Sequence, residues 1–365
     1  MKLLQQPEDG ASALINGINN AKNSIDILIF RFDQPEIERA LADAVSRGIS
    51  VQALIAHING SGEESLRKLE MRLLAAGITV ARTSGGLVRY HAKLMVIDRS
   101  ELYLLAFNFT RLDIKRSRSF GIVTKDPKLV REALKLVEAD AKRQPYEPGL
   151  STFVVSPENA RKELSSFIEG AERELLIYDP EISDRTMIRL LEERAKADVD
   201  IKLIGKVLPA NSWLSVRRLI SPRLHTRVII RDRRTIFIGS QSLREMELDR
   251  RREAGVILHD STIVNQVAKT FLEDWSLSKP IKQDASQQPS PPPLAKMAKK
   301  VAKAVVRELP PVSPVVDATI KEMMGERPEL TLDAEEVEES VRDAVKNAVK
   351  EVVQEMVEEV GHNQV

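Results

Sequence analysis

The chain contains no cysteine, so disulfides, thiol nucleophiles and cysteine-ligated metal centres are excluded. Aromatic residues are scarce, 4% of 365, which argues against the stacking platforms on which single-stranded nucleic acids are held. Met1 to Gly10 lacks an apolar run of the signal-peptide kind, and no stretch approaches the ~20 apolar residues that cross a bilayer. The expectation is a soluble, cytoplasmic protein, with peripheral attachment to the inner membrane face left open. Charge is nearly balanced at +1, but from Ile281 to Val365 there are 11 Lys+Arg against 16 Asp+Glu. The acidic tail therefore hides a mildly basic body, which suits an anionic substrate without identifying one.

What the chain does contain is alternating strand and helix, repeated. A β-rich run, Ile25 to Phe30, precedes a helix opened by Asp33 and Pro35, carried by Ile37, Leu41, Ala44 and Val45, and closed by Gly48. Another apolar run, Ile49 to Ala56, leads to a second helix, which Ser61 and Glu64 announce and Leu66, Leu69 and Leu73 continue. Later, Ser156 and Pro157 open a helix through Leu164 and Ile168, and a strand follows at Leu175 to Tyr178. Ala21-Lys22-Asn23-Ser24 aligns with Ala171-Glu172-Arg173-Glu174, and Phe120-Gly121 with Ala254-Gly255, each of the latter leading into a closing helix. The reading is an α/β protein of two homologous halves, residues 1–150 and 151–280. Residues 281–330 follow as a Pro-rich linker with a short basic amphipathic helix, and 331–365 as an acidic amphipathic helix. Lys296 to Arg307 is a candidate contact for anionic lipid, with a plain solvated helix as the alternative. The valine-rich last helix is a candidate for self-association or partner binding.

Two of the five histidines occupy matching places. His91-Ala92-Lys93 with Asp98, and His225-Thr226-Arg227 with Asp232, both read His-x-(Lys/Arg)-x4-Asp. On a regular strand residues two apart share a face, so each imidazole and its cation would look into one cleft. A lone histidine on an apolar strand is more often structural; the pairing reverses those odds. Asp98 and Asp232 stand at odd steps from their histidines and read as structural. No further His, Asp or Glu falls at ligand spacing around either motif, so no metal is expected.

These motifs resemble the phospholipase D superfamily, whose signature is His-x-Lys-x4-Asp followed six residues on by Gly-Ser, and the likeness is greatest to bacterial cardiolipin-synthase-like members. Gly239-Ser240 fits that pattern, whereas the first half has Leu105-Ala106 with Asn108 retained. The resemblance spans roughly residues 10 to 278. It implies two α/β sandwich domains about a pseudo-twofold axis and a metal-independent, cofactor-free phosphodiesterase or phosphatidyltransferase acting on phospholipid. The reaction would run through a phosphohistidine, with His91 as nucleophile and His225 as acid. Lys93, Arg227, Asn108 and Ser240 would hold the phosphate oxygens. Glu253 is expected to orient the imidazole of its own half, His225, while its first-half counterpart is Ser119. Restoring lysine at 227 should raise turnover if the protein is an enzyme. A nuclease of the same superfamily, and an inert scaffold presenting its C-terminal helices to a partner, are the alternatives.

Overall fold

The computed structural model describes residues 1–55, 63–83, 86–208 and 214–281. The linker and tail, including Lys296 to Arg307 and the final helix, lie outside the described residues. In chain order the strands are β1 (Lys2–Gln6), β2 (Ser24–Ile29), β3 (Ser50–Ile55), β4 (Thr79–Arg82), β5 (Arg89–Tyr90), β6 (Leu94–Ile97), β7 (Glu101–Leu105) and β8 (Ser117–Thr124). The second half contributes β9 (Phe153–Ser156), β10 (Glu174–Ile182), β11 (Asp200–Val207), β12 (Ser215–Arg218), β13 (Arg223–Leu224), β14 (Arg227–Arg231), β15 (Thr235–Gly239), β16 (Arg251–Leu258) and β17 (Lys279–Pro280). The helices are α1 (Ser12–Asn20), α2 (Pro35–Ser46), α3 (Glu63–Ala75), α4 (Arg111–Arg116), α5 (Pro127–Lys142), α6 (Ala160–Glu169), α7 (Arg185–Lys196), α8 (Glu245–Asp249) and α9 (Ser261–Leu277).

One sheet runs β1-β8-β7-β6-β2-β3-β4, the other β17-β12-β11-β10-β14-β15-β16-β5. In both, a parallel βαβ pair sits beside an antiparallel meander: β2 is parallel to β3 and antiparallel to β6, as β10 is to β11 and β14. Each sheet is apolar on both faces because each is covered twice. Leu28, Leu94, Val96, Leu102 and Leu104 point into a core shared with Leu176, Tyr178, Val228, Ile230, Ile236 and Ile238 of the other sheet, with α5 and α9 packed into it. The alternate residues of the first sheet, Ile27, Ile29, Met95 and Tyr103, face α1, α2 and α3; Leu175, Ile177, Ile229 and Phe237 of the second face α6, α7 and α8. At about 25 cal/mol per Å² of apolar surface removed from water, this shared core is what joins the halves into one compact unit.

Most expected elements form. Helices α1, α4, α7 and α8 escaped the sequence reading. Ser156 and Pro157 do not open a helix; Ser156 ends β9, and α6 begins at Ala160. The aligned segments at Ala21 and Ala171 prove to have one job. Asp98, at φ +51°, accepts from the backbone N–H groups of Lys22, Asn23 and Ser24, and Asp232, at φ +53°, from those of Glu172, Arg173 and Glu174. Both aspartates clamp the turn after the histidine strand to the start of the parallel pair.

A buried arginine network recurs at the same places in the repeat. Arg118 binds Asp274 of α9 through Nε at 2.7 Å, together with Glu8 and the carbonyl of Gln6. Arg252 binds Asp140 of α5 at 3.1 Å, together with Glu158 and the carbonyl of Ser156. Each ties a strand of one half to the closing helix of the other.

Candidate active site

The histidines are delivered by exchange. The two-residue strand β5, immediately before His91, leaves its own sheet and pairs in parallel with β16 of the second half. Its counterpart β13, before His225, pairs in parallel with β8 of the first. The ladders continue to the histidines themselves: His91 N–H donates to the carbonyl of Arg252 at 2.7 Å, and His225 N–H to that of Arg118 at 3.1 Å. The arginine networks therefore anchor the strands on which both imidazoles hang.

This crossing corrects the role expected of Glu253. The carboxylate belongs to β16, and the residue beside β16 is His91, not His225. His91 Nδ1 lies 2.8 and 3.0 Å from its two oxygens. Ser240 is fully buried: its hydroxyl lies 3.3 Å from the carbonyl of Ala254 and accepts from Ala254 N–H at 3.2 Å, and its neighbourhood with Glu253 favours the charged carboxylate. The counterpart of Glu253, Ser119, donates to the carbonyl of His225 at 3.3 Å. The second imidazole instead has Asp113, whose Oδ2 stands 3.6 Å from His225 Nδ1. Asp113 is fixed by the backbone N–H and side-chain amide of Asn108, at 3.0 and 2.8 Å, and by Arg223. In the other half Glu247 takes the same place: it accepts from Ser242 N–H at 2.8 Å and lies 3.6 Å from Arg227 Nη2.

Nor do His and cation share a regular strand. Residues 91–93 lie between β5 and β6, and Lys93 folds back so that its ammonium donates to the carbonyl of His91. Arg227 opens β14; its Nε donates to Ser242 Oγ at 2.9 Å, while Nη1 is buried with no partner among the described residues. The first-half departures from Gly-Ser are packing exchanges. Gly239 faces Gly255 across β15 and β16, where a Cβ on Gly239 would come within 2.8 Å of the Gly255 Cα. In the first half Leu105 of β7 stands opposite Gly121 of β8 and fills that volume.

Burial sets the protonation states. His91 is held well below its ordinary value, by burial first and then by Lys93 and Arg227. His225 is lowered too, burial again leading, while Asp113 pulls the other way. Lys93 is brought down to about 7 by burial, with Glu253 opposing. Glu253 is raised by burial against the pull of Lys93. Burial pushes Asp113 up, but His225, the Asn108 donors and Arg223 together keep it below its ordinary value. The site thus brings together two neutral imidazoles, the buried side chains of Lys93 and Arg227, and the carboxylates of Glu253 and Asp113.

That position opens to a cavity of about 550 Å³ bordered by His91, His225, Asn108 and Asp113, with Phe30, Phe32, Leu69 and Leu112 apolar and Arg31, Arg89 and Arg223 cationic. Asp113, Arg89 and Arg223 were missed from the sequence, although Arg89-Tyr90-His91 and Arg223-Leu224-His225 share one spacing.

A family model described as the PLD-like domain of cardiolipin synthase matches residues 14–141 and 164–275. The mitochondrial cardiolipin hydrolase of Danio rerio is 31% identical over 136 residues, 35% of this chain and 57% of that protein. The chain thus spans less than two thirds of the curated relatives it matches first. Among solved structures, the phosphatidylserine synthase of Haemophilus influenzae has a TM-score of 0.62 at 14% identity, covering 83% of this chain and 93% of its own. The polyphosphate kinase of Porphyromonas gingivalis has a TM-score of 0.64 at 19% identity, covering 79% and 53%. These two likenesses are of fold.

Proposed function

The chain belongs to the PLD-like family that the cardiolipin synthase model describes, and from that premise we propose that it cleaves or transfers a phosphodiester of a phospholipid through a phosphohistidine on His91. The single observation that carries this reading is the exchange of strands, which brings two imidazoles from opposite halves to the wall of one cavity.

In this reading Nε2 of neutral His91 attacks phosphorus while Nδ1–H donates to Glu253, so positive charge growing on the ring meets a buried carboxylate. The P–Nε2 bond forms as the P–O bond to the leaving alkoxide breaks, and His225 supplies the proton to that oxygen. His225 must therefore be protonated in the complex although burial depresses it in the free protein; the bound phosphodiester anion and Asp113 supply the missing counter-charge. It then removes a proton from water or an acceptor alcohol, whose oxygen displaces the phosphohistidine nitrogen. Lys93 and the unpartnered Nη1 of Arg227 face the negative charge that persists on the non-bridging oxygens, and the Asn108 amide is a neutral neighbour. The apolar part of the cavity suits the glycerol side of a lipid headgroup. Among the described residues no helix is long and apolar enough to cross a membrane, so this reading has the substrate reached from the membrane surface.

The test is incubation of purified protein with vesicles of mixed phospholipids, and separately with single-stranded DNA, in the presence of chelator, with His91→Ala as control. Headgroup release that resists chelator and disappears in the control is expected. Release that requires added divalent cation, or that survives the substitution, refutes the proposal; turnover of DNA alone makes the protein a nuclease.

A further inference from the structure

The two motif cations have different neighbours across their sheets. The β10–β14 ladder ends with Tyr178 opposite Val228, so Asp179 and Arg227 follow as the next pair; the β2–β6 ladder ends with Leu28 opposite Leu94, which leaves Ile29 beside Lys93. Asp179 and Arg227 each lie two residues from the Ile177–Ile229 pair and so share its face, where Glu247 of α8 also approaches the guanidinium. Asp179, Arg227, Ile29 and Lys93 are all buried. One half therefore sets its cation against a hydrocarbon, and the other against a carboxylate.

Asp179 has no cation of its own. Its two oxygens accept from the backbone N–H groups of Glu181 and Leu243, at 2.9 and 2.8 Å, and among the described residues no Lys or Arg stands within ion-pair distance of it. Glu247, by contrast, has Arg251 at 3.1 Å, Arg244 and the N–H of Ser242 besides Arg227. The charges that reach Asp179 are Arg227 from β14 and Glu247 from α8; Gly205, its partner on β11, brings none. Burial raises Asp179 to about 7, with Arg227 opposing, so the carboxylate changes charge near neutrality. A phosphate on the free Nη1 of Arg227 would be a third anion around one buried guanidinium. Like charges that close together in a dry interior do not all persist, and the one without a cation of its own is neutralised first.

We infer that Asp179 balances the charge of Arg227 while the site is empty and takes up a proton from solvent when a phosphate anion arrives, so that phosphate binding and protonation of this carboxylate are coupled. The residue acts through Arg227 and touches no reacting atom. The inference rests on the reading that places the phosphate beside Arg227.

Equilibrium binding tests it without turnover. The probe is dimethylphosphinate, a monoanion with two non-bridging oxygens, no leaving group and a constant charge across the pH range used. Its affinity is measured by calorimetry for the wild type, Asp179→Asn and Asp179→Ser, with thermal unfolding followed. At pH 8 about nine-tenths of Asp179 is ionised in the free protein, so removing the carboxylate should tighten binding by about five- to tenfold. At pH 5.5 it is already neutral, and variant and wild type should agree within about twofold. The other titrating groups of the site, His91, His225, Lys93, Glu253 and Asp113, are common to the three proteins and cancel in that ratio. A carboxylate that only supports the Ser242–Leu243 turn would, when removed, weaken binding at both pH values. That result, unchanged affinity at both, or failure of both variants to fold overturns the inference. Arg227→Ala separates it from the reading beneath it. This substitution should weaken the probe at least about tenfold; if it does not, the phosphate position itself is wrong and both fall. If it does while the pH-dependent gain is missing, only the role of Asp179 falls.

Discussion

Replacing Glu253 with glutamine keeps the volume of the side chain and an oxygen able to accept from His91 Nδ1–H, but removes the charge. In the free protein His91 is neutral, so the ground state loses little. In the transition state the ring becomes cationic as Nε2 bonds to phosphorus, and the bond to Glu253, 2.8 Å long between groups with almost no solvent exposure, becomes charge-assisted. Such bonds contribute about 1.5–3 kcal/mol, and each ~1.4 kcal/mol corresponds to tenfold in rate. Turnover of Glu253→Gln should therefore fall by about 10- to 100-fold, with KM nearly unchanged because the substrate is not touched. The assay is initial-rate release of headgroup, or of p-nitrophenolate from bis(p-nitrophenyl) phosphate, paired with thermal unfolding. A variant that keeps the wild-type melting temperature and stays within twofold of wild-type kcat would refute this assignment of the nucleophile's partner.

Asp113→Asn should lower kcat by about tenfold and shift the alkaline limb of the rate profile to lower pH, since the 3.6 Å contact to His225 favours its protonated form; an unshifted profile would reduce Asp113 to a structural role. Arg227→Lys, expected from the motif to help, should instead lower kcat/KM by about tenfold, because an ammonium cannot hold Ser242 and offer a second donor at once; a rise in kcat/KM would vindicate the motif. Lys93 loses its charge as pH rises through about 7 in the free protein, so phosphate affinity, read by calorimetry, should be greatest below that pH and weaken between pH 7 and 9. Asp98→Ala should cost about 1–3 kcal/mol of stability by leaving three N–H groups without their acceptor. The contribution of Asp98, whose folded value is lowered, is present above pH ~4 and lost as pH falls through that lowered value; urea unfolding at pH 7 and pH 3 checks the sign.

Periodicity and punctuation made much of the architecture legible. Asp126 and Asp260 cap α5 and α9 as their positions suggest, each accepting from two backbone N–H groups. The matched histidines, their cations and the duplicated segments at Ala21 and Ala171 are local or repeat-related patterns, and a linear reading finds such patterns because each rests on residues a few places apart. The same reading could have found Arg118 and Arg252, each two residues before the aligned Phe120-Gly121 and Ala254-Gly255, and passed them over.

What the sequence by itself determined is therefore the matched pair of histidines with their cations and the doubling of the fold, since both follow from spacing along one strand of chain. What only the tertiary structure decided is which group serves which. Glu253 is 28 residues from His225 and 162 from His91, yet it bonds the distant one, because β5 and β13 cross to the opposite sheets and a parallel ladder sets neighbours by register rather than by proximity in sequence. The carboxylate beside His225, Asp113, is equally invisible beforehand, because which acidic group meets an imidazole depends on what folding brings within a few ångströms of it.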